Sequence, residues 1–127
     1  MPLVRISLMQ GKTAKFRHKV GEIVYQAMMD TINVPPKDNF QIITEHDENS
    51  LIYDPGYLNI QRTDEIVIIQ ITLNEGRTVE LKKAFYKQLA ERLHSELGIR
   101  MEDVFISLVE VKKENWSFGN GVAQYAE

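Results

Sequence analysis

The feature that most constrains this chain is an internal repeat. Laying residues 4–45 over residues 69–110 at a constant offset of 65 needs no gap and pairs seven identical residues across 42 positions. The identities are Ile6 with Ile71, Leu8 with Leu73, Gly11 with Gly76, Thr13 with Thr78, Asp38 with Asp103, Phe40 with Phe105 and Glu45 with Glu110. Conservative pairs such as Ser7 with Thr72, Lys12 with Arg77, Met28 with Leu93 and Ile32 with Leu97 carry the apolar pattern between them. Identity and pattern together mark a duplicated unit, with pseudo-repeats at about residues 2–60 and 65–127 of one domain spanning 1–127.

Each unit reads as strand, helix, strand. Residues 4–8 alternate apolar and polar with period two, whereas residues 66–71 are nearly continuous in β-branched side chains, as a more deeply buried strand requires. Thr13 and Thr78, each just after a Gly-Lys or Gly-Arg pair, are placed to cap a helix with their hydroxyls. Phe16, Val20, Ile23, Val24, Ala27, Met28 and Ile32 then recur at spacings of three and four, as do Leu81, Phe85, Leu89, Leu93 and Leu97. Pro35-Pro36 is expected to close the first helix and Gly98 the second, before returning strands at residues 40–44 and 104–109. Right-handed crossovers make each strand pair parallel. The expected fold is α/β (more strictly α+β), a four-stranded mixed sheet with two helices on one face. The opposite face is left partly apolar and uncovered, so an oligomer is expected.

Composition narrows the chemistry. The chain has 127 residues, 43% of them apolar, and no cysteine, which removes disulfide scaffolds, cysteine zinc sites and thiol nucleophiles. Its 15 basic and 18 acidic residues are dispersed, which argues against a nucleic-acid partner. The first residues lack a secretory signal and no apolar run reaches the roughly 20 residues of a membrane helix, so a cytoplasmic protein with no membrane partner is expected. His18, His46 and His94 share no metal spacing and read as surface residues; neither a metal nor a cofactor is expected. A phosphate loop, a serine triad and a retaining carboxylate pair are likewise missing as motifs.

A strand opening on Pro2, a Gly76-Arg77-Thr78-x-Glu80 turn into an amphipathic helix, and a terminal Trp116-Ser117-Phe118-Gly119-Asn120-Gly121 together resemble the tautomerase superfamily. The likeness spans nearly the whole chain and is greatest to the fused, double-length branch that includes malonate semialdehyde decarboxylase. It implies a homotrimer with active sites around each amino-terminal proline, and a small oxo acid as substrate.

Each residue that would carry such chemistry has a plainer reading beside it. Proline is a common second residue; alternatively, removal of Met1 leaves Pro2 a secondary amine whose burial favours the neutral base, starting from the ~8 of an α-amino group. Arg77 is either a solvated helix-start cation, ill matched to the helix dipole, or a clamp for a substrate carboxylate and a developing enolate. Asp38 is a turn residue, or matches the aspartate with which the decarboxylase orients water; Asp103 at the equivalent point shows that the fold itself accommodates an acid there. Lys12, the counterpart of Arg77, reads as structural or peripheral. Trp116, Phe118 and Tyr125 form a subunit contact, a pocket wall, or both. Glu75, expected with them at the substrate pocket, stands where the decarboxylase has a second arginine, which weakens the case for decarboxylation. The leading expectation is enol–keto proton transfer on a 2-oxo acid by Pro2 and Arg77. Behind it stand decarboxylation or hydration with cationic Pro2 and Asp38, and a trimeric binding module with a vestigial pocket.

Overall fold

A computed structural model describes residues 2–126. The alternation that begins at Leu3 forms β1 (Leu3–Met9), and Val4, Ile6 and Leu8 are all buried on its inner face. Gly11 then takes φ 113°, a left-handed backbone that admits glycine at little cost, and the chain turns into α1 (Ala14–Thr31). Thr13 caps that helix, its hydroxyl accepting from the Phe16 amide at 3.1 Å. The returning strand is β2 (Phe40–His46). After a long excursion the pattern repeats as β3 (Val67–Asn74), α2 (Val79–Leu97) and β4 (Val104–Val111), with Gly76 at φ 118° and Thr78 accepting from Leu81 at 3.2 Å.

The duplication reaches the level of single bonds. β1 pairs with β2 in parallel with Leu3 opposite Phe40, and β3 pairs with β4 in parallel with Val67 opposite Val104; both registers are offset by 37 residues. Arg17 pairs with Glu45 in the first unit, and Lys82 with Glu110 in the second, at the same places of the repeat. The strand order is β2-β1-β3-β4, the two halves meeting through an antiparallel β1–β3 ladder. This is the four-stranded mixed sheet with two helices that the sequence predicts.

Both helices lie on one face, where Ile23, Val24, Met28, Phe85, Leu89 and Leu93 form a single core with the inward residues of β1 and β3. Gly21 lets α1 approach β2: a Cβ there would collide with the Gln41 side chain, whose Nε2 donates to the Gly21 carbonyl at 2.8 Å. The other sheet face carries Leu3, Arg5 and Ser7 from β1, flanked in register by Phe40, Ile42 and Thr44, and by Thr72, Gln70 and Ile68. Phe40, Ile42, Phe105 and Val109 remain exposed there, so the face is uncovered in the single chain.

Two expectations need correction. The first helix ends at Thr31, ahead of Pro35-Pro36; Ile32 donates to the Met28 carbonyl and Asn33 takes φ 61°, so a left-handed asparagine stops the helix rather than the prolines. His46 is half-buried, at the end of β2, instead of lying on the surface, and its Nε2 is buried without a hydrogen-bond partner. Among the described residues, no helix is long and apolar enough to cross a membrane, and no group of histidines and carboxylates is arranged to hold a metal ion.

Candidate active site

Because β1 and β3 run antiparallel, the start of β1 lies beside the end of β3, with Leu3 opposite Thr72. Pro2 is therefore at the same edge of the sheet as the Gly76-Arg77 turn, although 75 residues separate Pro2 from Arg77. Parallel pairing of β1 with β2 brings the segment before Phe40, including Asp38, to that edge as well. The residues come from both halves of the repeat.

Pro2 is buried and lines a hollow of about 210 Å³ with Leu3, Phe40, Trp116, Ser117 and Phe118. Two larger hollows, of about 460 Å³ at the opposite end of the sheet and about 840 Å³ beside α1, are lined by neither Pro2 nor Trp116. The tail forms a wall: Trp116 and Phe118 stack with ring centres 5.5 Å apart, and Tyr125 meets Phe118 edge-on at 4.8 Å. Gln124 ties this segment together, its Oε1 accepting from the Phe118 amide and its Nε2 donating to the Gly119 carbonyl, each at 2.9 Å.

Arg77 is half-buried and held by main-chain carbonyls. Its Nε donates to Ile32 at 2.7 Å and its Nη1 to Asn74 at 3.1 Å, leaving Nη2 without a hydrogen-bond partner among the described residues. Burial lowers its pKa from the ordinary arginine value, while the charges of Glu110 and Asp38 act the other way. An arginine retains its proton throughout. The bonds to neutral carbonyls fix the side chain and leave its charge to act on whatever anion approaches.

Asp38 follows a turn in which its amide donates to the Pro35 carbonyl at 3.4 Å. Lys37, at φ 69°, donates its amide to the Tyr25 hydroxyl at 2.6 Å, so a tyrosine of α1 anchors the turn. Glu75 is exposed and does not line the hollow with Pro2; its amide continues the β3–β4 ladder to the Val111 carbonyl at 2.9 Å. Tyr125 reaches the hollow only through Phe118.

The opposite end of the sheet shows what the same unit does without these substitutions. Lys12, at Arg77's place, is paired with Glu65 at 2.5 Å and lies over the Phe16 ring. Asp103, at Asp38's place, is fully buried and accepts from the Thr63 amide and hydroxyl, each at 2.7 Å. Val67 stands at Pro2's place, in mid-chain. There the cation and the aspartate are both held by internal partners.

Sequence reasoning passed over Asn74, which links the two parts of the site. Its Oδ1 accepts from the Trp116 indole at 2.8 Å while its carbonyl accepts from Arg77. The repeat held the signal, since Met9 and Leu51 occupy the corresponding positions of the first unit.

A family model described as "Tautomerase enzyme" matches residues 38–119, and a second of the same description matches residues 2–59. The chain belongs to the tautomerase family. It is 47% identical to a probable tautomerase, YusQ, of Bacillus subtilis (strain 168), over the full length of both chains. Among solved structures this tautomerase family member is similar to FG41 malonate semialdehyde decarboxylase inhibited by 3-bromopropiolate, with a TM-score of 0.90, 35% identity and coverage of 98% of this chain and 94% of that one. A fused 4-OT solved as a symmetric trimer superposes with a TM-score of 0.77 at 25% identity, covering 98% of each chain. These matches agree with the double-length tautomerase resemblance carried by the proline start, the Gly76-Arg77 turn and the aromatic tail.

Proposed function

We propose that the protein is a cofactor-independent tautomerase that converts the enol of a small 2-oxo acid to its keto form, with Pro2 as the acid/base. The observation that carries this reading is the convergence at one sheet edge of a buried Pro2, an aromatic wall and an arginine with no salt-bridge partner among the described residues. With Met1 removed, Pro2 presents a secondary amine, and burial in an aromatic hollow favours its neutral form. The neutral nitrogen takes the enol O–H proton, Arg77 holds the carboxylate and the developing enolate oxygen, and the protonated amine delivers the proton to the neighbouring carbon. No atom is gained or lost. Trp116 and Phe118 exclude water, which strengthens both the depressed amine and the arginine contact. The working form is a homotrimer: the uncovered sheet face needs a partner, and the fused 4-OT relative forms one.

A second reading is supported by the likeness to malonate semialdehyde decarboxylase and by the charge of Asp38 acting on Arg77. There, cationic Pro2 serves as an acid and Asp38 directs water in decarboxylation or hydration of a small oxo acid. Glu75 weighs against it, because it stands where malonate semialdehyde decarboxylase has a second arginine and so supplies no second cation for that reaction. The test is an ultraviolet assay of phenylpyruvate and 2-hydroxymuconate ketonisation, run beside a decarboxylation assay, on wild type, Pro2→Ala and Arg77→Ala. Loss of ketonisation by about a hundredfold in both variants supports the first reading. Decarboxylation without ketonisation supports the second, and activity equal to wild type in both variants contradicts both.

A further inference from the structure

We infer that Asn74 is the positioning residue that sets the aromatic wall against the arginine, and thereby fixes which substrate side chains the pocket accepts. Asn74 is the last residue of β3, so its main chain is held by the β4 ladder opposite Val111. From that fixed point its carbonyl accepts from Arg77 Nη1 at 3.1 Å and its side-chain Oδ1 accepts from Trp116 Nε1 at 2.8 Å. An indole N–H only donates, so the oxygen of the amide must face it. Trp116 in turn stacks on Phe118, and Phe118 meets Tyr125. The three-ring wall is thus tied by one side-chain bond to the residue that carries the arginine.

The fold does not need this bond. The first unit builds the same strand, turn and capped helix with Met9 at the place of Asn74 and Leu51 at the place of Trp116, neither of which can form it. The unit that lacks the clamp is also the one whose cation, Lys12, is neutralised by Glu65. Clamp and available cation occur together, in the half that meets Pro2.

The inference rests on the tautomerase reading for its catalytic consequence, but the clamp has a readout of its own. Trp116 is the one tryptophan of the sequence, so indole fluorescence reports this contact alone. Asn74→Leu keeps the branching of the side chain and removes the acceptor; Asn74→Asp keeps an acceptor. In Asn74→Leu, Trp116 emission is expected to shift to longer wavelength and acrylamide quenching to rise. KM for phenylpyruvate is expected to rise about tenfold, the value of one neutral hydrogen bond, with kcat within about twofold because the carbonyl to Arg77 is untouched. Asn74→Asp places a carboxylate beside Arg77 and is therefore read by fluorescence, where it restores the emission. A Trp116→Phe variant is expected to match Asn74→Leu in KM, and the double variant to lose no more than either alone. Emission and quenching in Asn74→Leu equal to wild type would overturn the clamp. A fall in kcat with KM unchanged in Asn74→Leu, or no rescue of the emission by aspartate, would overturn its positioning role. If wild type turns over none of these substrates, the tautomerase reading fails while the fluorescence arms still decide the clamp.

Discussion

Arg5 and Gln70 face each other across the β1–β3 ladder, and they are separated by 65 residues, the interval that relates the two halves of the chain. A local twofold axis therefore passes between them. Antiparallel pairing about that axis places the start of one unit at the helix-entry turn of the other. It follows that Pro2 and Asp38 of the first unit share an edge with Arg77 and Trp116 of the second, while Lys12 and Asp103 share the other. The candidate site is a composite of the two copies.

The two aspartates made equivalent by the repeat should respond oppositely to removal. Asp103 is fully buried and accepts two short bonds from Thr63, so Asp103→Ala is expected to lower stability by about 3 kcal/mol, read as a shifted urea midpoint. Asp38→Ala is expected to cost less than about 1 kcal/mol and to act on turnover, most of all on any decarboxylation or hydration.

The helix caps should remain equivalent. Thr13→Ala and Thr78→Ala each remove one hydroxyl acceptor from a first-turn amide, bonds of 3.1 and 3.2 Å. Each is expected to cost about 1 kcal/mol in chemical denaturation, and serine should restore either cap. A large inequality would show that one helix is set by contacts beyond its own unit.

Acid stability has a defined contributor in Glu110. The Lys82 hydrogen bond, chiefly, holds its carboxyl below the ordinary glutamate value of 4.5, with help from the Gly76 amide and Arg77. A carboxyl with a depressed folded-state pKa binds fewer protons in the native state, so its contribution is present above about 4.5 and is lost as the pH falls through the folded value. Glu110→Gln is accordingly expected to flatten the stability profile below about pH 4.5. The check is a series of urea melts from pH 7 to pH 3 on both proteins.

The proposed trimer would form through the uncovered sheet face. Phe105 is 44% exposed there in the single chain, and Phe105→Lys is expected to shift the trimer toward monomer in light scattering. The core lies on the opposite face, so far-ultraviolet circular dichroism should be unchanged.

Much of the architecture was legible because it is periodic. Alternation in residues 4–8, the three-and-four spacing of both helices and the gap-free repeat all report burial, which the solvent enforces residue by residue. The stop of the first helix was less visible, because Asn33 acts through backbone conformation whereas Pro35-Pro36 advertises itself in the sequence. At the candidate site, Pro2 and Arg77 stand out in the sequence by their motif. Asn74 was not, because its role arises from a contact across 42 residues to Trp116. Glu75 was expected at the pocket from the decarboxylase resemblance, but it is exposed and its amide simply continues the parallel β3–β4 ladder.

The central claim is that the Pro2 nitrogen moves the proton. The most direct measurement compares kcat/KM for ketonisation between protein shown by mass spectrometry to begin at Pro2 and the same protein with Met1 retained. Retention converts the secondary amine to an amide that cannot accept a proton, so the account predicts a loss of at least about a hundredfold with the fold intact. Equal activity in the two forms would contradict it.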